Sequence, residues 1–365
     1  MKLTLTKIAA IVAGSLLTVN SAAAEEPVVN VYNWSDYIAE DTISNFEEQT
    51  GIKVNYDVFD SNEVLEAKML AGKSGYDVVV PSASFMARQI QAGVFGKLDK
   101  SKLPNAVNLD PAIAERVAIY DPGNEYAVTY MWGTTGFGYN KGAIEKRMPD
   151  APVGSWDMIF DPDVVSKFAD CGVSLLDAPA EVFAAAMQYL GLDPNSENKA
   201  DLKKAEELLL KIRPSIKYFH SSQYINDLAN GDTCLAMGWS GDVLQARDRA
   251  EEAGAGVEVA YTIPAEGALM WFDMLAIPVD AAHPENAHKF VDYILDAKVA
   301  ADITNYVSFA SGNAAAMEHV EDEVKADPAV FPSEEVMEKL FVAKVTAPKF
   351  DRLRTRAWTR VKTGQ

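Results

Sequence analysis

Three short segments of the sequence each place a tryptophan within three residues of an aspartate. They are Trp34-Ser35-Asp36-Tyr37, Trp239-Ser240-Gly241-Asp242, and Trp271 with Asp273. Aromatic faces attract cations and methylene groups, while carboxylate and hydroxyl oxygens accept hydrogen bonds from N–H groups. Together these residue types predict a binding site for a ligand that carries ammonium groups.

Each segment also has a purely structural interpretation, and the third is the hardest to explain in that way. Asp36 could cap a turn, and Asp242 could be an acid favoured by the dipole of a helix that begins there. Trp271 and Asp273 are two residues apart, so their side chains point to the same face of a predicted apolar strand at 269–277. This strand contains no basic residue. Burying an unpaired carboxylate is costly, so we expect Asp273 to meet a cationic ligand.

Other residues with reactive or metal-binding side chains do not form recognisable motifs. His220-Ser221-Ser222 has neither a G-x-S-x-G context nor an identifiable orienting partner. His283, His288 and His319 lack metal-ligand spacing. Glu181 lies near the start of a predicted helix, where both a dipole role and a ligand role are open. The sequence therefore predicts a binding protein rather than an enzyme, with no metal and no cofactor.

The elements that must position these residues follow an alternating pattern. Strands are predicted near 28–32, 52–58 and 78–80, each followed by a helix. This βαβαβα order predicts a parallel sheet covered by helices, with ligands bound beyond the carboxyl ends of the strands. An extended stretch at 130–139 leads to a second set of strands and helices, and the strand at 269–278 returns to the first set.

The chain begins with the features of an export signal. Lys2 and Lys7 precede an apolar stretch at 8–17, and alanines at 22–24 provide a cleavage site, so residues 1–24 are predicted to be a signal peptide. A retained anchor helix is the alternative. No later stretch has the length of a membrane helix, so we expect a periplasmic protein whose mature chain is not inserted in the membrane. About 340 mature residues predict two lobes.

The charge of the chain limits its partners. The formal net charge is −20 and the sequence pI is about 4.6, which disfavours nucleic acid and anionic membrane surfaces. A cationic ligand fits this charge, although acidic surfaces also serve solubility.

Cys171 and Cys234 are the two cysteines of the chain. Export to an oxidising compartment predicts a disulfide between them, and two separate buried thiols are the alternative.

Longer segments resemble one family closely, the periplasmic putrescine- and spermidine-binding proteins of ABC importers, and the likeness extends over the mature chain. The segments that carry it are Val31 to Ile38, Asp57 to Glu63, Val80 to Ser82, Tyr218 to Ser222, Gly238 to Asp242 and Thr355 to Thr359. The resemblance implies an α/β, two-lobed periplasmic binding protein fold of type II, each lobe a mixed, mainly parallel sheet flanked by helices. It further implies an N-terminal lobe at 25–134 and 268–312, and a C-terminal lobe at 135–267 and 313–365.

The same resemblance implies the ligand-binding residues, which are Trp34, Ser35, Asp36, Tyr37, Ser82, Glu181, Ser221, Trp239, Asp242, Trp271 and Asp273. In this assignment the aromatic rings line the methylene chain of a polyamine. Asp242 and Asp273 hold one terminal amine, and Ser35, Asp36 and Glu181 serve the other. The pairing of Cys171 with Cys234 also matches the family. The resemblance further implies that the protein is a monomer and that its partners are the permease subunits of an ABC transporter.

Two positions bear on which polyamine is bound. Phe309 stands where putrescine-type members are expected to have tyrosine, and Trp271 stands where they tend to have phenylalanine and spermidine-type members tryptophan. The larger aromatic face favours spermidine. A polyamine sensor with the same fold is the main alternative function. Two other kinds of carrier are disfavoured. A ferric carrier would need a paired-tyrosine ligand set, and an amino-acid carrier usually needs an arginine for the ligand carboxylate. The predicted site loops offer neither.

Overall fold

A computed structural model describes residues 25–365, so the predicted signal peptide at 1–24 lies outside the described residues. Eleven strands occur in that range. They are β1 (Val28–Trp34), β2 (Lys53–Phe59), β3 (Val78–Val79), β4 (Ala127–Asn140), β5 (Val173–Leu175), β6 (Tyr218–Phe219), β7 (Leu235–Trp239), β8 (Val259–Thr262), β9 (Leu269–Ala276), β10 (Ala310–Ser311) and β11 (Phe341–Val342).

Sixteen α-helices accompany these strands within the described residues. They are α1 (Thr42–Thr50), α2 (Asn62–Ala71), α3 (Ala83–Gln91), α4 (Pro111–Val117), α5 (Lys141–Arg147), α6 (Asp157–Phe160), α7 (Pro162–Val165), α8 (Pro179–Tyr189), α9 (Lys199–Ile212), α10 (Gln223–Asn230), α11 (Ser240–Ala253), α12 (Pro284–Ile294), α13 (Ala297–Val307), α14 (Asp322–Ala326), α15 (Glu334–Met337) and α16 (Pro348–Thr363).

The strands form one mixed sheet in the order β2-β1-β3-β9-β4-β7-β5-β6, with β8 and β10 also paired to β4 and β11 paired to β9. The β1–β2, β1–β3, β5–β6 and β5–β7 pairs are parallel, as the alternation of strands and helices predicts. The antiparallel pairs between these strands involve β4 or β9. The predicted α/β architecture, in which helices flank a mixed sheet whose outer strands are parallel, is therefore confirmed.

Strand β4 connects the two halves of the sheet. Its first part, Ala127 to Thr135, pairs with β9, whereas Thr135 to Tyr139 pairs with β7. Aromatic residues form the core on both sides, with Phe46 against Phe290 at 5.2 Å between ring centroids and Phe137 against Trp156 at 6.0 Å. The lobe boundary predicted at residues 134 and 135 falls in the middle of this strand, and it stays a prediction.

The disulfide between Cys171 and Cys234 is present, with 5.5 Å between the Cα atoms and 63 residues of sequence separation. It joins the turn before β5 to the residue before β7, two strands that pair directly. Among residues 25–365, no helix is both long enough and apolar enough to cross a bilayer.

We expect the Cys171→Ser/Cys234→Ser variant to lose about 2 to 4 kcal/mol of unfolding free energy, because the bond constrains a long loop in the unfolded chain. Urea denaturation of the native protein and the variant measures this difference. Adding a thiol reductant to the wild type serves as the control and should reproduce the loss. A variant as stable as the oxidised wild type would contradict the prediction.

Candidate functional site

A cleft lies where the carboxyl ends of β1, β2 and β3 face those of β6 and β7 across the middle of β9. Ten of the eleven predicted site residues line it. The lining residues are Trp34, Ser35, Tyr37, Phe59, Asp60, Ser82, Glu181, Ser221, Ser222, Trp239, Asp242, Trp271, Asp273 and Phe309. The structure thus gathers side chains from segments that are separated by as many as 275 residues, from Trp34 to Phe309.

Three tryptophans form the walls of the cleft. Trp34 ends β1 and donates its indole N–H to the carbonyl of Val80 at 2.8 Å, which fixes its plane. Trp239 ends β7 and meets Trp34 edge to face, with 5.4 Å between ring centroids. Trp271, from β9, lies 5.4 Å from the ring of Phe309. These rings offer apolar faces to methylene groups and π-density to cations.

Asp273 lies on β9, two residues after Trp271 and on the same side of the strand. Its Oδ1 accepts a hydrogen bond from Ser82 Oγ at 2.6 Å, and the two residues also form an isolated antiparallel bridge. Asn62 at the start of α2 holds Ser82 in place, since its amide group bonds both the hydroxyl and the backbone N–H of Ser82. The residue is 4% exposed, and burial raises the pKa of its carboxyl group to about 7.

Asp242 occupies the first turn of α11, immediately after β7. Its Oδ2 accepts a hydrogen bond from the Tyr224 hydroxyl at 2.7 Å. The same tyrosine oxygen accepts the backbone N–H of Trp239 at 3.1 Å, so one buried ring supports both cleft residues. Burial raises the pKa of Asp242 to about 8, although the carboxylate lies where the helix dipole favours negative charge.

Glu181 projects from the first turn of α8 into the same cleft. Its Oε2 accepts two hydrogen bonds, from Thr135 Oγ1 at 2.5 Å and from Trp239 Nε1 at 2.9 Å. Burial raises the pKa of this carboxyl too. The residue therefore links β4, β7 and α8 at one point, and its role is not confined to the helix dipole.

No arginine, lysine or histidine within residues 25–365 forms an ion pair with Glu181, Asp242 or Asp273. Their hydrogen-bond donors are the neutral groups of serine, tyrosine, threonine and tryptophan. Two buried carboxylates and a half-buried one, without neutralising cations, are costly in a free protein. The arrangement is chemically suited to a ligand that supplies positive charge and N–H donors.

Ser221 and Ser35 contribute hydroxyl groups at two edges of the cleft. Ser221 Oγ accepts the backbone N–H of Asp177 at 3.1 Å, and Ser35 Oγ donates to the carbonyl of Phe59 at 3.3 Å. Both hydroxyls retain further hydrogen-bonding capacity.

Asp36 is the one predicted site residue that does not line the cleft. Its backbone has a left-handed conformation, with φ of 52°, and its carboxylate pairs with Arg249 Nη2 of α11 at 2.7 Å. Gln245, one helical turn before Arg249, donates to the backbone carbonyl of Asp36 at 3.2 Å. In this structure the Asp36 segment is tied to α11, and its negative charge is met by a protein cation.

Four cleft residues were absent from the predicted set, namely Phe59, Asp60, Ser222 and Phe309. Asp60 could have been found, since it follows β2 in the same way that Trp34 ends β1. The structure shows that Ser61, not Asp60, caps α2, with its side chain accepting the N–H of Val64, which leaves Asp60 available to the cleft.

Phe309 is 2% exposed and packs edge to face against Tyr37, at 5.0 Å between centroids. It also explains the glycine in the Trp239 segment, because a Cβ at Gly241 would lie 2.5 Å from the Phe309 ring. Phe309 thus joins the loop after β1 to the start of α11.

The sequence matches the family model of bacterial extracellular solute-binding proteins over residues 41–332. It is 55% identical over 359 residues to the putrescine-binding periplasmic protein PotF of Escherichia coli (strain K12), covering 97% of each chain. It is 54% identical over 361 residues to the putrescine-binding periplasmic protein SpuD of Pseudomonas aeruginosa (strain UCBPP-PA14), covering 99% of this chain and 98% of that protein.

Structural comparison gives the same answer. The spermidine/putrescine ABC transporter substrate-binding protein PotD from Streptococcus pneumoniae superposes with a TM-score of 0.73 at 28% identity, covering 92% of this chain and 99% of that chain. The match confirms the predicted two-lobed type II periplasmic binding protein fold. These relatives are solute-binding proteins, which also confirms the prediction of a binding protein rather than an enzyme.

Proposed function

Because the chain belongs to the family of bacterial extracellular solute-binding proteins, we propose that it captures a linear polyamine in the periplasm and delivers it to the permease of an ABC importer. The names of its relatives support the ligand class, the compartment and the kind of transporter. The individual site residues, the lobe boundaries, a monomeric state and the permease partner belong to the same proposal.

One observation carries the ligand assignment. Asp242 and Asp273 are buried and Glu181 is half-buried in a cleft walled by tryptophans, and their hydrogen-bond donors are neutral. A polyamine supplies what this cleft lacks, because its ammonium groups bring charge and its methylene chain fits between aromatic rings. Cation–π contacts worth about 0.5 to 2 kcal/mol each, with charged hydrogen bonds worth about 1.5 to 3, are enough for micromolar or tighter binding.

The ligand has a direction in this proposal. One terminal ammonium binds between Asp242 and Asp273, which come from α11 and β9. The other end extends toward Glu181, Ser35 and Asp60. Asp36 acts on the ligand only indirectly in this arrangement, since Arg249 holds its carboxylate. Bridging of carboxylates from both lobes by the ligand favours the closed conformation.

Isothermal titration calorimetry of the mature protein with putrescine, cadaverine, spermidine, spermine, arginine and glutamate tests the function. We expect tight binding of the amines and none of glutamate. Tight binding of glutamate without the amines would overturn the proposal. Uptake of labelled polyamine by cells with and without the gene then tests delivery to a transporter.

The larger ring of Trp271 leads us to propose a preference for spermidine over putrescine. We expect Trp271→Phe to lower the spermidine affinity about tenfold relative to the putrescine affinity, because part of the aromatic surface is lost. Trp132→Phe is a matched control, since Trp132 lies on the neighbouring strand β4 and does not line the cleft. An unchanged ratio of the two affinities in Trp271→Phe would contradict the assigned role.

A further inference from the structure

A second chamber adjoins the cleft and is larger than it. Ser82, Glu181 and Trp271 line both spaces, so these three side chains form the partition between them. The polyamine proposal uses only the smaller space. A ligand held in the cleft could therefore extend a substituent past the partition into the chamber.

The chamber is lined by several separate parts of the chain. Its lining includes residues 269–272 of β9, the first turns of α3 and α8, and the segment 343–346 that precedes α16. Hydrogen bonds hold this last segment in place. The Asn195 side chain donates to the carbonyl of Val342 and accepts the backbone N–H of Lys344, and the Tyr120 hydroxyl donates to the carbonyl of Ala343. The covering segment is thus tied to the parts of the chain that it spans.

The charged groups of the chamber differ from those of the cleft. Arg88, Lys344 and Arg354 line it, together with Glu181 and Glu197. Arg88 and Arg354 are fixed by carboxylates, with Arg88 bonded twice to Glu66 and Arg354 once to Asp351. A guanidinium has five N–H donors, so both arginines keep donors that these bonds do not use.

Two further features of the chamber favour an acceptor over an ammonium group. Lys344 is exposed and forms no ion pair with any residue in the range 25–365. The first turns of α3 and α8 both face the chamber, and helix N-termini favour negative charge. A third ammonium group would be poorly placed here, whereas a carbonyl or carboxylate would find donors.

The partition itself also requires an acceptor. The indole N–H of Trp271 is buried and has no hydrogen-bond partner among the described residues. An indole N–H can only donate, so an ammonium group cannot satisfy it but a carbonyl oxygen can. Beside it, Glu181 uses Oε2 for both of its bonds, which leaves Oε1 available to a passing ligand.

We propose that the protein also binds mono-acylated linear diamines, with the free ammonium group in the cleft and the acyl arm in the chamber. The inference rests on the proposed function, because Asp242 and Asp273 hold the ammonium group in both cases. The amide carbonyl lies at the partition near Trp271. An arm that ends in a carboxylate reaches the arginine and lysine side of the chamber.

Calorimetric titration with putrescine, spermidine, N-acetylputrescine and N-succinylputrescine tests this inference. We expect both acylated diamines to bind within about tenfold of putrescine, and the succinyl compound about threefold or more tighter than the acetyl compound because of its carboxylate. Ala184→Phe fills the chamber from α8 and should weaken N-succinylputrescine about tenfold or more, with putrescine unchanged.

A charge-reversal pair covers the case in which Ala184→Phe disturbs folding. Lys344→Glu should weaken the succinyl compound about fivefold, because the carboxylate loses an attractive charge, and should leave putrescine unchanged. Lys349→Glu makes the same charge change at an exposed position outside the chamber and should affect neither ligand.

The outcomes separate the two proposals. Binding of putrescine or spermidine without either acylated diamine overturns this inference and leaves the polyamine function standing. Binding of acylated diamines that neither Ala184→Phe nor Lys344→Glu alters also overturns it, because the arm then lies elsewhere. Failure of every amine to bind overturns the proposed function itself.

Discussion

Replacing Asp273 with asparagine is expected to weaken polyamine binding by about a hundredfold or more. The change removes one charge from a buried site and leaves the ligand ammonium group without its partner, which typically costs about 3 to 5 kcal/mol. Asparagine has nearly the same shape as aspartate and can keep a hydrogen bond with Ser82. Calorimetric titration with putrescine and spermidine measures the loss.

The same substitution separates a binding defect from a folding defect. In the ligand-free protein, burial raises the pKa of Asp273 from 3.8 to about 7. The unfolded chain therefore releases this proton first as pH rises, so the wild type loses stability between about pH 4 and pH 7. Asp273→Asn should remove that loss and be at least as stable as the wild type at neutral pH, which thermal unfolding without ligand will show.

Asp322→Asn is the matched control for charge. Asp322 is fully exposed on α14 and does not line the cleft, so the variant changes net charge by the same amount. If attraction by the overall acidic charge governed affinity, both variants would weaken binding equally. A cleft carboxylate that binds ammonium directly predicts a large loss for Asp273→Asn alone. Affinity within about threefold of wild type for Asp273→Asn would refute the assignment of this residue.

The order of elements could be predicted from the sequence because the local patterns are strong. Alternating apolar residues predict β2, and the continuous apolar stretch at 78–80 predicts β3. The role of β4 could not be predicted in the same way. Its residues pair with β9 over one part and with β7 over another, and pairing between distant segments leaves no periodic signal in a single strand.

The cleft residues were predictable for a related reason, and the exceptions are instructive. Strand ends mark where ligands bind in open parallel sheets, so Trp34, Ser82 and Trp239 could be named from position and residue type. Asp36 also follows a strand end and carries a side chain suited to an ammonium ligand. Its carboxylate nevertheless pairs with Arg249, which lies 213 residues away. Competition between a ligand and a distant protein cation is a tertiary property. Residue type alone cannot reveal it.

The affinity for polyamines is expected to rise by about 500-fold between pH 6 and pH 8. Burial raises the pKa of Asp273 to about 7 and that of Asp242 to about 8, so both carboxyl groups carry protons in much of the ligand-free protein at pH 6. An ammonium ligand requires their ionised forms, and amines of this type stay protonated throughout the range. At low pH the carboxyl groups must therefore release protons when the ligand binds. For each proton released, the affinity rises by about tenfold per pH unit.

Calorimetry at several pH values, in buffers of different ionisation enthalpy, measures both the dissociation constant and the number of protons released. Asp242 and Asp273 act on each other electrostatically and both have raised pKa values, so the protons are released by the two carboxyl groups as a pair. Asp242→Asn should bind more weakly but release about one proton fewer and show a shallower pH dependence. Constant affinity with no proton release would mean that the carboxylates are already ionised before the ligand arrives. The cleft would then be solvated rather than buried in the ligand-free state, and the cost of its unpaired charges would not be what selects a cation.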